Sequence, residues 1–251
     1  MKPQNGLYQI KFGEHLIEYS IKRRNRTTVG ILIDPVKGVV ISAHPDLDAG
    51  ELREIVLKRA GWIIDKQNQL RNKISLKVPK KFVEGECFWY LGNQYPLYIQ
   101  KSDPCQSFGL LPRIDFQADA FWIFLPGRTD EEERISLIRS AFLRWYFAKA
   151  EEIILEKINI RKKDVMVNPH TIRVRHQKCC WGSCTGKNAL HFNWRLILSP
   201  LPVIDYVVVH ELCHLRVKNH SPQFWSLVRS IVPDYQDRKA WLRQNSIYLD
   251  I

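Results

Sequence analysis

One short segment constrains this chain more than any other: His210-Glu211-Leu212-Cys213-His214. Val207, Val208 and Val209 stand immediately before it, and neither glycine nor proline interrupts residues 205–217. An unbroken apolar run of that kind predicts a buried helix. On a helix, positions four apart lie one above the other, so His210 and His214 present two imidazoles to one point. Two nitrogens so placed suit a tetrahedral zinc ion at roughly 2.0–2.1 Å. Glu211, one residue along, falls beside that point, where its carboxylate can take a proton from an attacking water. Partly buried, paired imidazoles with no ion between them are costly. A metal-binding helix is the reading that follows.

His220 is the candidate third ligand. Residues 215–219 read as a helix end, with Asn219 in a left-handed conformation turning the chain back. Ser221-Pro222 reads as an N-cap followed by proline at the first helical position, which leaves His220 at the corner. No glutamate follows Glu211, and the remaining acids there are Asp234, Asp237 and Asp250, none on an evident ligand pattern. Three protein ligands leave a fourth position open, as in a catalytic rather than a structural zinc site. Cys213 shares the helix but is rotated away from both histidines, so core packing is its expected job. Cys179, Cys180 and Cys184 lack C-x-x-C spacing and read as structural thiols, Cys184 being the one that could approach the metal.

Composition narrows the setting. Hydrophobic residues at 45% and charged residues at 25% exclude disordered, collagen-like and coiled-coil classes. Lys and Arg number 38 against 26 acids, a net charge of +12, which favours an anionic partner such as nucleic acid. The basic residues are scattered (Lys22-Arg23-Arg24, Lys80-Lys81, Arg161-Lys162-Lys163, Arg173, Arg175), and no DNA-binding motif joins them. The first residues carry no secretion-type apolar stretch, no run approaches a membrane span, and six cysteines do not form a disulfide framework. A cytoplasmic protein with reduced thiols and no membrane partner is expected.

The chain divides by pattern. Residues 7–124 read mostly as strands, with hairpins around Pro35–Gly38 and Gly92–Asn93, one helix over 49–70, and a turn at Pro126-Gly127. Residues 128–251 read as a long acid-capped helix to about Ile158, strands over 171–176 and 189–198, the helix over 202–216 and two short helices after Pro222 and Pro233. The domain boundary is accordingly expected at 127/128 and the fold class is α+β.

Alternation over 189–198 puts His191, Asn193 and Arg195 on one strand face. If that strand is the sheet edge at the cleft, a peptide substrate can add to it. Asn193 or Arg195 then reaches the substrate; exposed strand polars are the alternative. Asp205 either orients a ligand or caps the helix.

The spacing of His210, His214 and His220 equals that of metzincins, but Val217 stands where those have glycine, and the only methionines are Met1 and Met166. The C-terminal half instead resembles the YgjP-like metallopeptidases, relatives of SprT-type proteases. The resemblance rests on Trp181-Gly182-Ser183-Cys184, Phe192-Asn193-Trp194-Arg195, Ile204-Asp205-Tyr206, and His210 to His214 continuing through Asn219-His220-Ser221 to Phe224-Trp225. It implies a zincin-like metallopeptidase domain after the β-rich N-terminal region, with His210, His214 and His220 as zinc ligands and Glu211 as general base in peptide-bond hydrolysis. The alternative expectation is a nucleic-acid-associated, SprT-like protease or DNA-binding protein, targeted to DNA by its basic surface.

Overall fold

A computed structural model describes residues 7–34, 37–75, 79–101, 112–125, 130–177 and 180–251. The Pro126-Gly127 turn, Pro35, Cys105 and Cys179 lie outside the described residues. The chain forms two compact units, Met1–Val78 and Pro79–Ile251, and its class is mixed α+β. Among the described residues, no helix is long and apolar enough to cross a membrane.

The first unit is a four-stranded sheet of β1 (Leu7–Phe12), β2 (His15–Arg23), β3 (Gly30–Asp34) and β4 (Gly38–Ala43), in the order β1-β2-β4-β3. The β1–β2 hairpin closes at Gly13, whose φ of +59° favours a residue without Cβ. The single helix expected over 49–70 is two, α1 (Ala49–Lys58) and α2 (Ala60–Ser75), broken at Arg59. A straight helix of that span would run about 33 Å, well beyond the roughly 17–20 Å of five- and six-residue strands. The break lets Leu52, Val56, Ala60 and Ile63 all bury in the core that holds Ile17, Tyr19 and Ile41. Asp48 opens α1 with a reciprocal cap to Glu51.

The second unit holds β5 (Cys87–Tyr90), β6 (Asn93–Lys101), β7 (Arg113–Gln117) and β8 (Ala120–Leu125) in the order β5-β6-β8-β7. Then come α3 (Glu131–Val165), β9 (Thr171–Arg175), β10 (Gly182–Cys184) and β11 (Ala189–Asn193). A 3-10 turn at Trp194–Leu198 leads into α4 (Leu201–Cys213), α5 (Pro222–Ile231) and α6 (Tyr235–Asn245). The boundary read at 127/128 falls inside this unit, because the β5–β8 sheet and α3 bury one aromatic core. Phe88 stacks on Phe142 at 4.3 Å between ring centroids, Phe121 meets Phe142 at 5.1 Å, and Tyr146 stacks on Trp194 at 5.9 Å. Asp130 caps α3 by accepting from the Glu133 amide, and Met166 ends it in the left-handed region.

Helix α4 is the central post. Every residue from Val203 to Val209 is buried, as are Glu211, Leu212 and Cys213, the outcome of an apolar run too long for a surface helix. It is tied to its neighbours through Asp205, 7% exposed. The Asp205 carboxylate accepts two parallel bonds from Arg161 of α3, both 2.8 Å, and a third from Arg238 of α6 at 3.2 Å.

Candidate metal centre

The end of α4 sets the site. His210 lies in its last turn and His214 is its C-cap, at φ −66° and ψ −16°. Turns at Leu215–Val217 then reverse the chain. Asn219 is not among the described residues with positive φ, so the reversal needs no left-handed residue there. His220 follows, and Ser221 and Pro222 start α5.

This corner brings three imidazoles together. The Nε2 atom of His220 lies 3.1 Å from that of His214 and 3.0 Å from that of His210. The sequence placed these three side chains as one set, and the structure groups the same three. Two nitrogens bound to one ion at roughly 2.0–2.1 Å and the tetrahedral angle are about 3.3 Å apart, so the cluster fits a small ion with little adjustment. His214 Nδ1 lies 3.0 Å from the Val217 carbonyl. A proton on Nδ1 satisfies that contact and leaves the Nε2 lone pair for the centre. Burial, with smaller contributions from His214, His220 and Lys239, lowers the His210 pKa to about 3. His214 is lowered as well, first by burial. Neutral imidazoles whose nitrogens face one point at such distances repel unless a cation or proton lies between them, and neutral is the form a metal needs.

Two aromatic residues hold the rings in place, and the sequence pattern gave neither a role. Phe224, fully buried on α5, stacks on His214 at 4.4 Å and meets His210 and His220 edge-on, each at 4.9 Å. Trp225 stacks on His220 at 5.5 Å. Consecutive positions on the first turn of α5 thus clamp all three imidazoles, and hydrophobic periodicity alone marks Phe224 only as core.

Glu211 is 4% exposed, and its Oε2 has no hydrogen-bond partner among the described residues. Burial pushes its carboxyl up to about 8. It is packed against β10: a Cβ at Gly182 would lie 2.6 Å from both Cγ and Oε1 of Glu211. Gly182 is therefore glycine because the carboxylate occupies the space a side chain would take.

The expected substrate residues are placed otherwise. The strand ends at Asn193, and Arg195 sits in the 3-10 turn, so the alternation read through 198 fails. The cause is local: Asn193 Oδ1 accepts from the Arg195 amide at 3.2 Å and caps the turn. Asn193 is 4% exposed, and its Nδ2 donates to the carbonyls of Gln177 and Cys180 at 2.8 and 3.2 Å. Arg195 donates twice to Asp250, at 2.7 and 2.5 Å, and its guanidinium lies 4.8 Å from the Trp194 ring centroid. Both side chains are engaged in holding loops. Nor is β11 an edge: it pairs with β10 on one side and β9 on the other. The edge strand beside Glu211 is β10.

Asp205 does not cap α4, and among the described residues its hydrogen bonds go to Arg161 and Arg238, so it joins three helices. Burial raises the Cys213 thiol to about 12 and raises Cys184, whose Sγ contacts Lys218 Nζ at 3.7 Å. Neither cysteine belongs to the histidine cluster. Several basic residues are committed internally: Arg161 to Asp205 and Asp164, Lys80 to Glu86, and Arg23 to the carbonyls of His44 and Leu47.

Two comparisons relate the chain to known proteins. A curated protein of Escherichia coli (strain K12), named UTP pyrophosphatase, is 38% identical over 53 residues. That segment is 20% of this chain and 32% of the relative, so the chain spans about a third of the relative's length. The YgjP-like metallopeptidase domain matches residues 27–245 and so takes in α4, His220 and the whole second unit except its last residues. With that match extending over most of its length, the chain belongs to the YgjP-like metallopeptidase family.

Proposed function

We propose that the protein is a zinc-dependent hydrolase in which His210, His214 and His220 hold the ion through Nε2 and Glu211 is the general base. The observation that carries this reading is the approach of the three Nε2 atoms to 3.0 and 3.1 Å beside a buried carboxylate. Three imidazoles suit zinc better than harder ions such as magnesium or calcium. When bound, zinc polarises the scissile group and brings the pKa of water down to roughly 7.

The chain's own groups do the rest. Glu211 takes the proton of the attacking water and returns it to the leaving group, acting first as general base and then as general acid. The Val217 carbonyl fixes the His214 tautomer, and Phe224 and Trp225 keep the rings from turning. For a peptide or protein substrate, β10, the outer strand of its sheet among the described residues, offers main-chain groups to an added strand. The name of the Escherichia coli relative favours a second reading, hydrolysis of a phosphoanhydride. The same residues serve there: the water oxygen bonds to phosphorus, the bridging P–O bond breaks, and Glu211 protonates the departing oxygen.

Elemental analysis of protein purified without a histidine tag tests the centre. Wild type is expected to carry about one zinc per chain, and His214→Ala less than a tenth of that. Wild type free of metal after reconstitution would end the proposal. Gly182→Ala tests the base separately. Its methyl group displaces the Glu211 carboxylate, so kcat/KM falls about 100-fold while zinc content stays at the wild-type level. Unchanged kcat/KM would show that the carboxylate need not sit where the glycine leaves room.

A further inference from the structure

Most inward-turned cations of the second unit have carboxylate partners: Arg161 and Arg238 bond Asp205, Arg195 bonds Asp250, and Arg134 bonds Glu131. Two exposed lysines beside the histidine cluster do not. Lys218 lies between His214 and His220 in the chain, and its Nζ donates to the Asn188 side-chain oxygen at 2.5 Å and to Cys184 Sγ at 3.7 Å. Lys239, on α6, places its Nζ 4.4 Å from the centroid of the Trp225 ring, the same ring that stacks on His220 and lies 5.7 Å from that of His210. Both are exposed, and neither lies within ion-pairing distance of a carboxylate among the described residues.

Both stand next to the cluster, Lys218 in the chain segment between His214 and His220 and Lys239 over the ring that stacks on His220. On α6 the helical neighbours of Lys239 are Tyr235, Gln236, Leu242 and Arg243, with no acid among them. The hydrogen-bond partners of Lys218 are the Asn188 side-chain oxygen and the Cys184 sulfur. Among the described residues the carboxyl next to the cluster is Glu211, buried against Gly182. Beside the histidine cluster, two ammonium groups with no carboxylate partner among the described residues favour a ligand that is itself strongly anionic.

We propose that Lys218 and Lys239 bind the phosphate chain of a nucleoside triphosphate across the histidine cluster. This rests on the phosphoanhydride reading above and adds to it the residues that position the substrate. Lysine serves here as a point charge on phosphate oxygens. The reaction served would consume water and a nucleoside triphosphate and yield a nucleoside monophosphate and pyrophosphate, with the anhydride oxygen leaving on the pyrophosphate. The lysines make no bond in it; they are positioning residues.

The test uses inorganic triphosphate titrated calorimetrically into zinc-loaded protein at low salt, with zinc content checked before and after. It compares wild type with K218Q/K239Q and with K218R/K239R. The glutamine pair is expected to bind at least about tenfold more weakly and the arginine pair within about threefold of wild type. In parallel, the KM for UTP should rise by about the same factor in the glutamine pair, with kcat changed less. Equal binding by wild type and the glutamine pair would overturn the proposal. So would a wild type that does not bind triphosphate but cleaves a glutamate-rich peptide faster than a neutral one. If wild type binds triphosphate through these lysines yet leaves UTP intact, the phosphoanhydride reading falls while the binding site stands. If UTP is hydrolysed equally well by both proteins, the reverse holds.

Discussion

Glu211→Gln is expected to lower turnover by about 10²–10⁴-fold while leaving the zinc content unchanged. Glutamine has the shape of glutamate, so it still fits the space left by Gly182, and it cannot accept the proton. Stability supplies a second readout. In zinc-free protein, burial raises the Glu211 carboxyl from the usual carboxylate range to about 8. The unfolded chain ionises this group at lower pH than the folded one. Wild type therefore loses stability relative to Glu211→Gln as pH climbs from the usual carboxylate range towards 8, and is level with it below that range. Turnover by Glu211→Gln within threefold of wild type would remove the carboxylate from the mechanism. A pH-independent difference in melting temperature would remove the burial argument.

Asp205→Ala is expected to destabilise the second unit by about 3–5 kcal/mol, the scale for breaking a buried ion pair. The carboxylate accepts three bonds, and its loss strands the guanidiniums of Arg161 and Arg238, both largely buried. Its melting transition should fall by about 10 °C. Arg238→Ala should cost much less, because the two parallel bonds from Arg161 remain. Zinc affinity measured below the transition should match wild type in both variants. A melting temperature within about 2 °C of wild type would contradict the joining role, and a large loss of zinc affinity in the folded variant would restore Asp205 as an orienting group.

What the sequence made legible is local. The apolar run before His210 announces a buried helix, i and i+4 spacing announces two convergent imidazoles, and Ser221-Pro222 announces the helix start that places His220 at the corner. Failures came where the deciding contact is remote or is a side chain turned on its own backbone. Alternation continues past Asn193, but one amide-to-side-chain bond there exchanges strand for 3-10 turn. The central position of β11 depends on ladders to β9 and β10, which no period records. Residues 79–125 look like the strands before them, yet Phe88 and Phe121 pack on α3, so they belong with the second unit. Asp205 reads as a cap or an orienting group because its partners lie 44 and 33 residues away. Gly182 could be read as a turn glycine; only the approach of Glu211 shows that the missing side chain is the point.

Only nine residues of chain separate His210 from His220, and within them α4 ends and α5 is prepared. An ion held by both ends of so short a span acts as a local cross-link, closing a loop whose ends the backbone already holds near each other. Its free energy of binding is then spent on the angle between two helices rather than on the existence of the core. A chelator should therefore loosen the corner at 213–221, seen as faster amide exchange there, while the aromatic core around Phe142 and Trp194 keeps its protection.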